Sequence, residues 1–167
     1  MIHVFIGKPG VGKSTLIREA FPGEKIRDVR PYIRAFEKDG KVPEEKTLEG
    51  YENFYLDLEN APAENLVVEL GTNHPEFNIG KLSILAGKKG ARVFLCDASV
   101  DTCRSRAETR GIYMDKEELE RRLARNFPET HIGLLKRAGV PYFVLNMEKT
   151  LGEALEDFRT ITESSLF

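Results

Sequence analysis

IGKPGVGKSTL, residues 6–16, follows almost directly on the apolar run Ile2 to Ile6. Within it, GKPGVGKS, residues 7–14, satisfies G-x-x-x-x-G-K-[ST], with a strand-like run before it and a helix-compatible run, STLIREAF, after it. Each residue type has a physical reason. Gly7, Gly10 and Gly12 lack Cβ atoms, so the turn can take positive φ and press its backbone N–H groups against anionic oxygens. The positive end of the following helix adds to that field. Lys13 supplies a point charge, and the hydroxyl of Ser14 is placed as a ligand for a divalent cation. Gly7, Lys8, Pro9, Gly10, Val11, Gly12, Lys13, Ser14 and Thr15 are therefore expected to cradle phosphates.

Outward from this turn, short apolar runs alternate with longer helical patterns, the sequence form of βαβ units. Strands are predicted over Ile2–Ile6, Lys25–Arg27 (weakly), Leu66–Leu70, Arg92–Cys96 and Tyr142–Leu145. The expected fold is α/β: a three-layer, doubly wound sheet of about five parallel strands. A helix is predicted after Pro43, with Leu48, Tyr51, Tyr55 and Leu58 on one face. Another starts in GTNHPEF, with Asn73 as N-cap and Glu76 three residues on. MDKEELERRLARNF places Leu119 and Leu123 on one stripe, flanked by Glu117/Arg121 and Glu118/Arg122 at i,i+4. Thr150 and Glu153 form a capping box ahead of a last helix that is expected to pack back on the sheet.

Composition limits the function classes. A length of 167 residues suits one domain over 1–167, and a net charge of −2 lacks the signature of a protein that coats nucleic acid. Cys96 and Cys103 have no C-x-x-C spacing, so neither zinc nor a disulfide framework is expected. No apolar run approaches the roughly 18 residues of a membrane span, and no leader pattern precedes the first strand; a cytoplasmic location is expected.

A phosphate turn alone fits several classes. Guanine-specific hydrolases show N-K-x-D after a strand, which NMEK at 146–149 does not match, and no D-x-x-G switch occurs. The length argues against motor ATPases. Compact kinases remain.

GKPGVGKST, RDVRPYIR after the weak second strand, GTNHPE after the third and CRSRAETRG after the fourth together resemble the P-loop kinases that include polynucleotide 5′-hydroxyl kinases, with zeta toxins as more distant relatives. The resemblance covers roughly residues 1–145. It implies a phosphotransferase that binds ATP with Mg²⁺ and moves the γ-phosphoryl group to a hydroxyl, preferably at a nucleic-acid 5′ end or on a related phosphorylated molecule. A small-molecule or nucleoside kinase is the alternative, and a non-catalytic nucleotide-binding module a third reading. By the same resemblance Asp28 is the general base. Its other reading is as cap of the helix VRPYIRAFEK. The family's acceptor-binding arginine falls on Pro31, so Arg30 or Arg34 stands in. Glu69 replaces a family aspartate two residues later; strand alternation keeps the face. It is expected to serve the metal with Ser14, while Thr72 and Asn73 line the acceptor site.

The resemblance also makes about 104–126 a helical lid. Arg106 and Arg110, four apart on a helix starting near Ser99 and ending at Gly111, are expected to close over the phosphates, with Arg104 next. Arg104 paired with Glu108 is the structural alternative. Arg121, Arg122 and Arg125 read as members of an ion-paired, solvated helix face. LNMEKTLG, residues 145–152, is expected on the nucleotide side of the sheet.

Overall fold

The structure, a computed structural model, describes residues 1–62, 65–111 and 114–164. Ile112 and Tyr113 of the expected lid, and the last three residues of the expected 1–167 domain, lie outside the described residues.

Five strands form one sheet in the order β2-β3-β1-β4-β5, every neighbouring pair parallel. They are β1 (Ile2–Gly7), β2 (Ile26–Asp28), β3 (Leu66–Leu70), β4 (Ala91–Asp97) and β5 (Tyr142–Asn146). Among the described residues the helices are α1 (Lys13–Ala20), α2 (Arg30–Arg34), α3 (Glu44–Asn60), α4 (Pro75–Lys89), α5 (Val100–Arg110), α6 (Lys116–Leu123), α7 (Glu129–Ala138) and α8 (Leu151–Ser164). The expected doubly wound, parallel α/β sheet is the observed one.

Side-chain alternation along the strands builds a core on each face. Ile2, Val4 and Ile6 of β1 and Leu66, Val68 and Leu70 of β3 join Phe54, Tyr55, Leu58, Leu82 and Leu135 of α3, α4 and α7 on one side. Phe5, Val67 and Phe94 point the other way, to Leu16 and Ile17 of α1, Leu123 of α6 and Phe158 of α8. The order of strands leaves β1 in the middle, and β3 and β4 diverge from it on either side. Ligands of open parallel sheets bind beyond the strand ends at such a point, and here the 7–12 turn occupies it.

Three local expectations need correction. Leu48 is 40% exposed, whereas Tyr51, Phe54, Tyr55 and Leu58 are buried, so the apolar stripe of α3 runs through Phe54 instead. The helix after Asp28 is only five residues long, with Val29 as N-cap. The N-cap of α4 is His74, at φ 48°, not Asn73. Pro75 follows it at the first helical position, which suits the ring's fixed φ. The Asn78 amide reaches back to the Asn73 and His74 carbonyls, at 2.8 and 3.1 Å, and accepts from the Tyr55 hydroxyl at 2.7 Å. That network, not an Asn73 cap, fixes the 71–74 loop. The Thr150/Glu153 capping box is present, each backbone N–H bonded to the other's side chain at 3.3 Å. No described helix is long and apolar enough to cross a membrane.

Candidate active site

The phosphate turn needs its glycines for two separate reasons. Gly10 and Gly12 sit at φ 78° and 103°, a region that side chains disfavour. A Cβ on Gly10 would also stand 2.2 Å from the Cys103 carbonyl oxygen of α5, and one on Gly7 2.8 Å from the Cys96 carbonyl oxygen. The turn is therefore seated directly on β4 and α5. Val11 anchors it with a buried side chain. Lys13 bends back, donating to the carbonyls of Gly7 at 2.7 Å and Lys8 at 3.4 Å. Desolvation lowers its pKa, and Glu69 is the largest opposing influence. An ammonium held on weak carbonyl acceptors in this way is available to a stronger anionic partner. Lys8 points elsewhere: its buried ammonium donates to the Leu123 carbonyl of α6 at 2.7 Å.

On one side of the turn lies a cavity of about 380 Å³ whose walls include Lys13, Asp28, Arg34, Glu69, Thr72 and Arg122. Asp28 and Glu69 are register partners on β2 and β3, which places both carboxylates at the same height beyond the sheet. Asp28 accepts from the Arg30 backbone N–H at 2.8 Å and its Nε at 2.6 Å, and pairs with the guanidinium end. One residue before the Val29 N-cap, its carboxylate thus holds the first N–H of α2 and lines the cavity at once. Arg30 and Asn73 also line this space, so the residues expected at the acceptor site converge there. The Thr72 hydroxyl is buried there without a hydrogen-bond partner among the described residues.

A second cavity, of about 210 Å³, lies across the turn, with walls that include Gly12, Thr15, Arg106, Arg110, Met147 and Thr150. Arg106 donates to the Val11 carbonyl at 2.9 Å, and Arg110 to the Thr15 hydroxyl at 2.7 Å. Their four-residue spacing on α5 brings Arg106 to the phosphate turn and Arg110 to the first turn of α1. α5 is held at its start: Ser99 caps it, and Glu148, next to Met147, accepts from the Ser99 N–H and from the Thr102 hydroxyl at 2.7 Å. Gly111 ends the helix in the left-handed conformation.

Arg104 is not available to phosphates. Glu120 accepts from its Nε and Nη2 at 2.6 and 2.7 Å, and Asp101 from its Nη1 at 2.8 Å; Glu108 is not its partner. Glu118 pairs with both Arg121 and Arg122. Arg122 nevertheless lines the first cavity, and Arg125 is half-buried, not fully solvated. Its Nη1 is shut off from water with no partner among the described residues. Burial, then the nearby Arg122 and Arg121, lowers its pKa. Tyr51, expected only as a core residue, also borders the cavity. Sequence spacing carried no signal for either role, because both are set by the approach of segments distant in the chain.

Ser14 and Glu69 fit a hard divalent cation in kind: the hydroxyl donates to Glu69 Oε1 at 2.6 Å, so two oxygen donors already meet beside the turn. Among the described residues no cluster of three or more His, Cys, Asp or Glu side chains could hold a metal. A cation at Ser14 and Glu69 therefore needs oxygens from a bound phosphate chain.

No family profile matches the sequence, and no curated relative matches it. Solved structures do match. Shikimate kinase from Acinetobacter baumannii in complex with shikimate superposes with a TM-score of 0.65 at 18% identity, over 99% of this chain and 95% of that one. A gluconokinase from Sinorhizobium meliloti 1021 gives 0.63 at 17%, over 99% and 95%. Deoxyadenosine kinase from M. mycoides with bound dATP gives 0.58 at 16%, over 98% and 100%. The chain thus has the P-loop kinase fold over nearly its full length. None of these three bears the name of a polynucleotide kinase or zeta toxin, the branch that the sequence resembled.

Proposed function

We propose that this protein is a kinase that transfers the γ-phosphoryl group of Mg·ATP to a hydroxyl of a small molecule. The observation that carries this reading is the placement of two cavities on opposite sides of one phosphate turn, one beside Asp28 and Glu69, the other beside Met147 and Thr150. A purine fits the second, with its phosphates laid along residues 7–15 toward the first. Lys13 exchanges the Gly7 carbonyl for phosphate oxygens and offsets charge on the transferring group. Arg106 and Arg110 add positive charge from α5. Asp28 takes the proton of the acceptor hydroxyl, which requires Arg30 to release one carboxylate oxygen. Ser14 and Glu69 would hold Mg²⁺, which would supply charge neutralisation for the phosphoryl transfer.

A small acceptor is favoured over the nucleic-acid 5′ end preferred from sequence. The cavity lies within the roughly 300–1,000 Å³ range of small-molecule sites. The three structures described above are named deoxyadenosine kinase, shikimate kinase and gluconokinase.

ADP formation measured against nucleosides, sugars, sugar acids and single-stranded oligonucleotides tests the reading. Turnover is expected with a small hydroxyl compound, and Asp28→Asn is expected to lower kcat by about 10²–10⁴-fold, with nucleotide affinity unchanged. Phosphorylation of oligonucleotides alone would overturn the choice of acceptor.

A further inference from the structure

The two edges of the sheet are defended unequally. β2 is three residues long and carries Arg27 and Asp28, the short, charged form that discourages pairing with another chain. β5, at the other edge, is Tyr142, Phe143, Val144, Leu145 and Asn146, a longer strand with no charge and no proline. Its backbone bonding has a definite parity. The Val93 N–H donates to the Pro141 carbonyl at 3.0 Å, and the Met147 N–H donates to the Asp97 carbonyl at 2.7 Å. Odd-numbered residues therefore bond inward to β4, and Tyr142, Val144 and Asn146 turn their N–H and C=O groups out of the sheet. No described residue bonds to those outward groups. The three side chains share one face, where Val144 is 44% exposed.

α7 flanks this edge. It packs against α4 and leads through the 139–141 turn into β5, so it runs antiparallel to the strand. Its other side is open: Glu129, Thr130, Lys136 and Arg137 are exposed, and a Cβ on Gly133 at mid-helix would meet nothing within 4 Å. Charge is segregated along it, with Glu129 in the first turn and Lys136 and Arg137 in the last. None of the three is in an ion pair among the described residues.

We infer that β5 is a self-association edge: two copies of this chain pair β5 with β5, antiparallel about a two-fold axis at Val144, and join their sheets into one. With Val144 opposite its copy, Tyr142 stands opposite Asn146. Every outward N–H then meets an outward C=O, because the three residues have the same parity. Val144 gains an apolar cross-strand partner. The same axis sets the two α7 helices side by side and antiparallel, with Glu129 of each toward Lys136 and Arg137 of its copy. This charge match selects a second copy as the occupant of the edge, and the closed two-fold stops growth at the dimer. The inference stands independently of the kinase reading.

Sedimentation equilibrium reads the association, with a dimer expected at a dissociation constant of about 1–100 μM. Val144→Lys puts like charges on the axis at a position that is already exposed. It is expected to weaken the dimer at least about tenfold, with Tm measured on the dilute monomer retained. Amide exchange locates the interface. At high protein concentration the N–H groups of Tyr142, Val144 and Asn146 are expected to slow, while those of Phe143 and Leu145, already bonded to β4, keep their rates. That alternation is the signature of strand pairing, which a dimer through another face would not produce. Glu129→Lys is expected to weaken the dimer, and adding Lys136→Glu and Arg137→Glu to it is expected to restore association. A protein that stays monomeric at the highest concentration reached, or a dimer that persists in Val144→Lys, overturns the inference. So does exchange that is not slowed at the even-numbered residues of β5, or a charge swap that fails to restore the dimer.

Discussion

At the scale of single residues, burial decides which ionisable groups stay silent. Cys96 is pushed up to about 12 by burial, so its thiol is inert at neutral pH. His131 packs edge-on against Phe127 at 5.1 Å and is 3% exposed. Burial lowers its pKa from 6.5 to about 4, and His3 falls to about 4 through burial and then Arg92. Below pH 6.5 the unfolded chain binds protons that the folded chain refuses, so the sign is fixed: stability falls as pH drops from about 6.5 toward about 4. Urea midpoints at pH 7 and pH 5 should differ less in His131→Leu than in the unaltered protein. Equal shifts in the two would show that this imidazole titrates normally when folded. Residue types made the phosphate turn legible, because its glycines, Lys13 and Ser14 are local in sequence. Arg125 was not legible, because its isolation is created by a docking that sequence spacing does not encode.

Elements show the same division between local and distant causes. β3 matches its predicted limits of Leu66–Leu70, since a run of apolar residues buried on both faces marks a central strand. β2 is shifted by one residue to Ile26–Asp28, because a three-residue edge strand is fixed mainly by pairing to β3. That shift matters: it brings Asp28 into register with Glu69. Among the helices, the starts of α3, α5 and α8 follow Pro43, Ser99 and the Thr150/Glu153 box, whereas α4 starts from a left-handed His74 that no cap rule indicates. The contact of the phosphate turn with α5 gives a prediction at this scale. Gly10→Ala sets a Cβ against the Cys103 carbonyl and must displace α5 with Arg106 and Arg110. A loss of at least about 2 kcal/mol is expected, roughly 4–8 °C in Tm, together with weakened nucleotide binding. Gly152→Ala, in open space within α8, is the control. It should gain about 0.5–1 kcal/mol from helix propensity. Similar melting of the two variants would show that turn and helix are not in close contact.

For the molecule as a whole, the parallel sheet fixes where chemistry can occur, and the two cores fix what can move. Both cavities lie at the phosphate turn, but their walls come from different layers: α2 and α3 for one, α5 and α8 for the other. The five parallel strands of the sheet were readable from apolar runs alternating with helical patterns, and their order was not. The separation of the cavities was not, since it depends on the docking of five helices around that turn. Lys8 joins these parts. Its ammonium ties the turn to the end of α6, the helix that bears Arg122. Coupling between the two cavities through this tie is expected, and thermodynamic reciprocity requires the two effects to be equal. Dissociation constants for ADP and for the acceptor, each measured with and without the second ligand, should change by one common factor. Lys8→Met should bring that factor close to one. By that measure a motif side chain turned toward the Leu123 carbonyl would set the synergy between the two ligands.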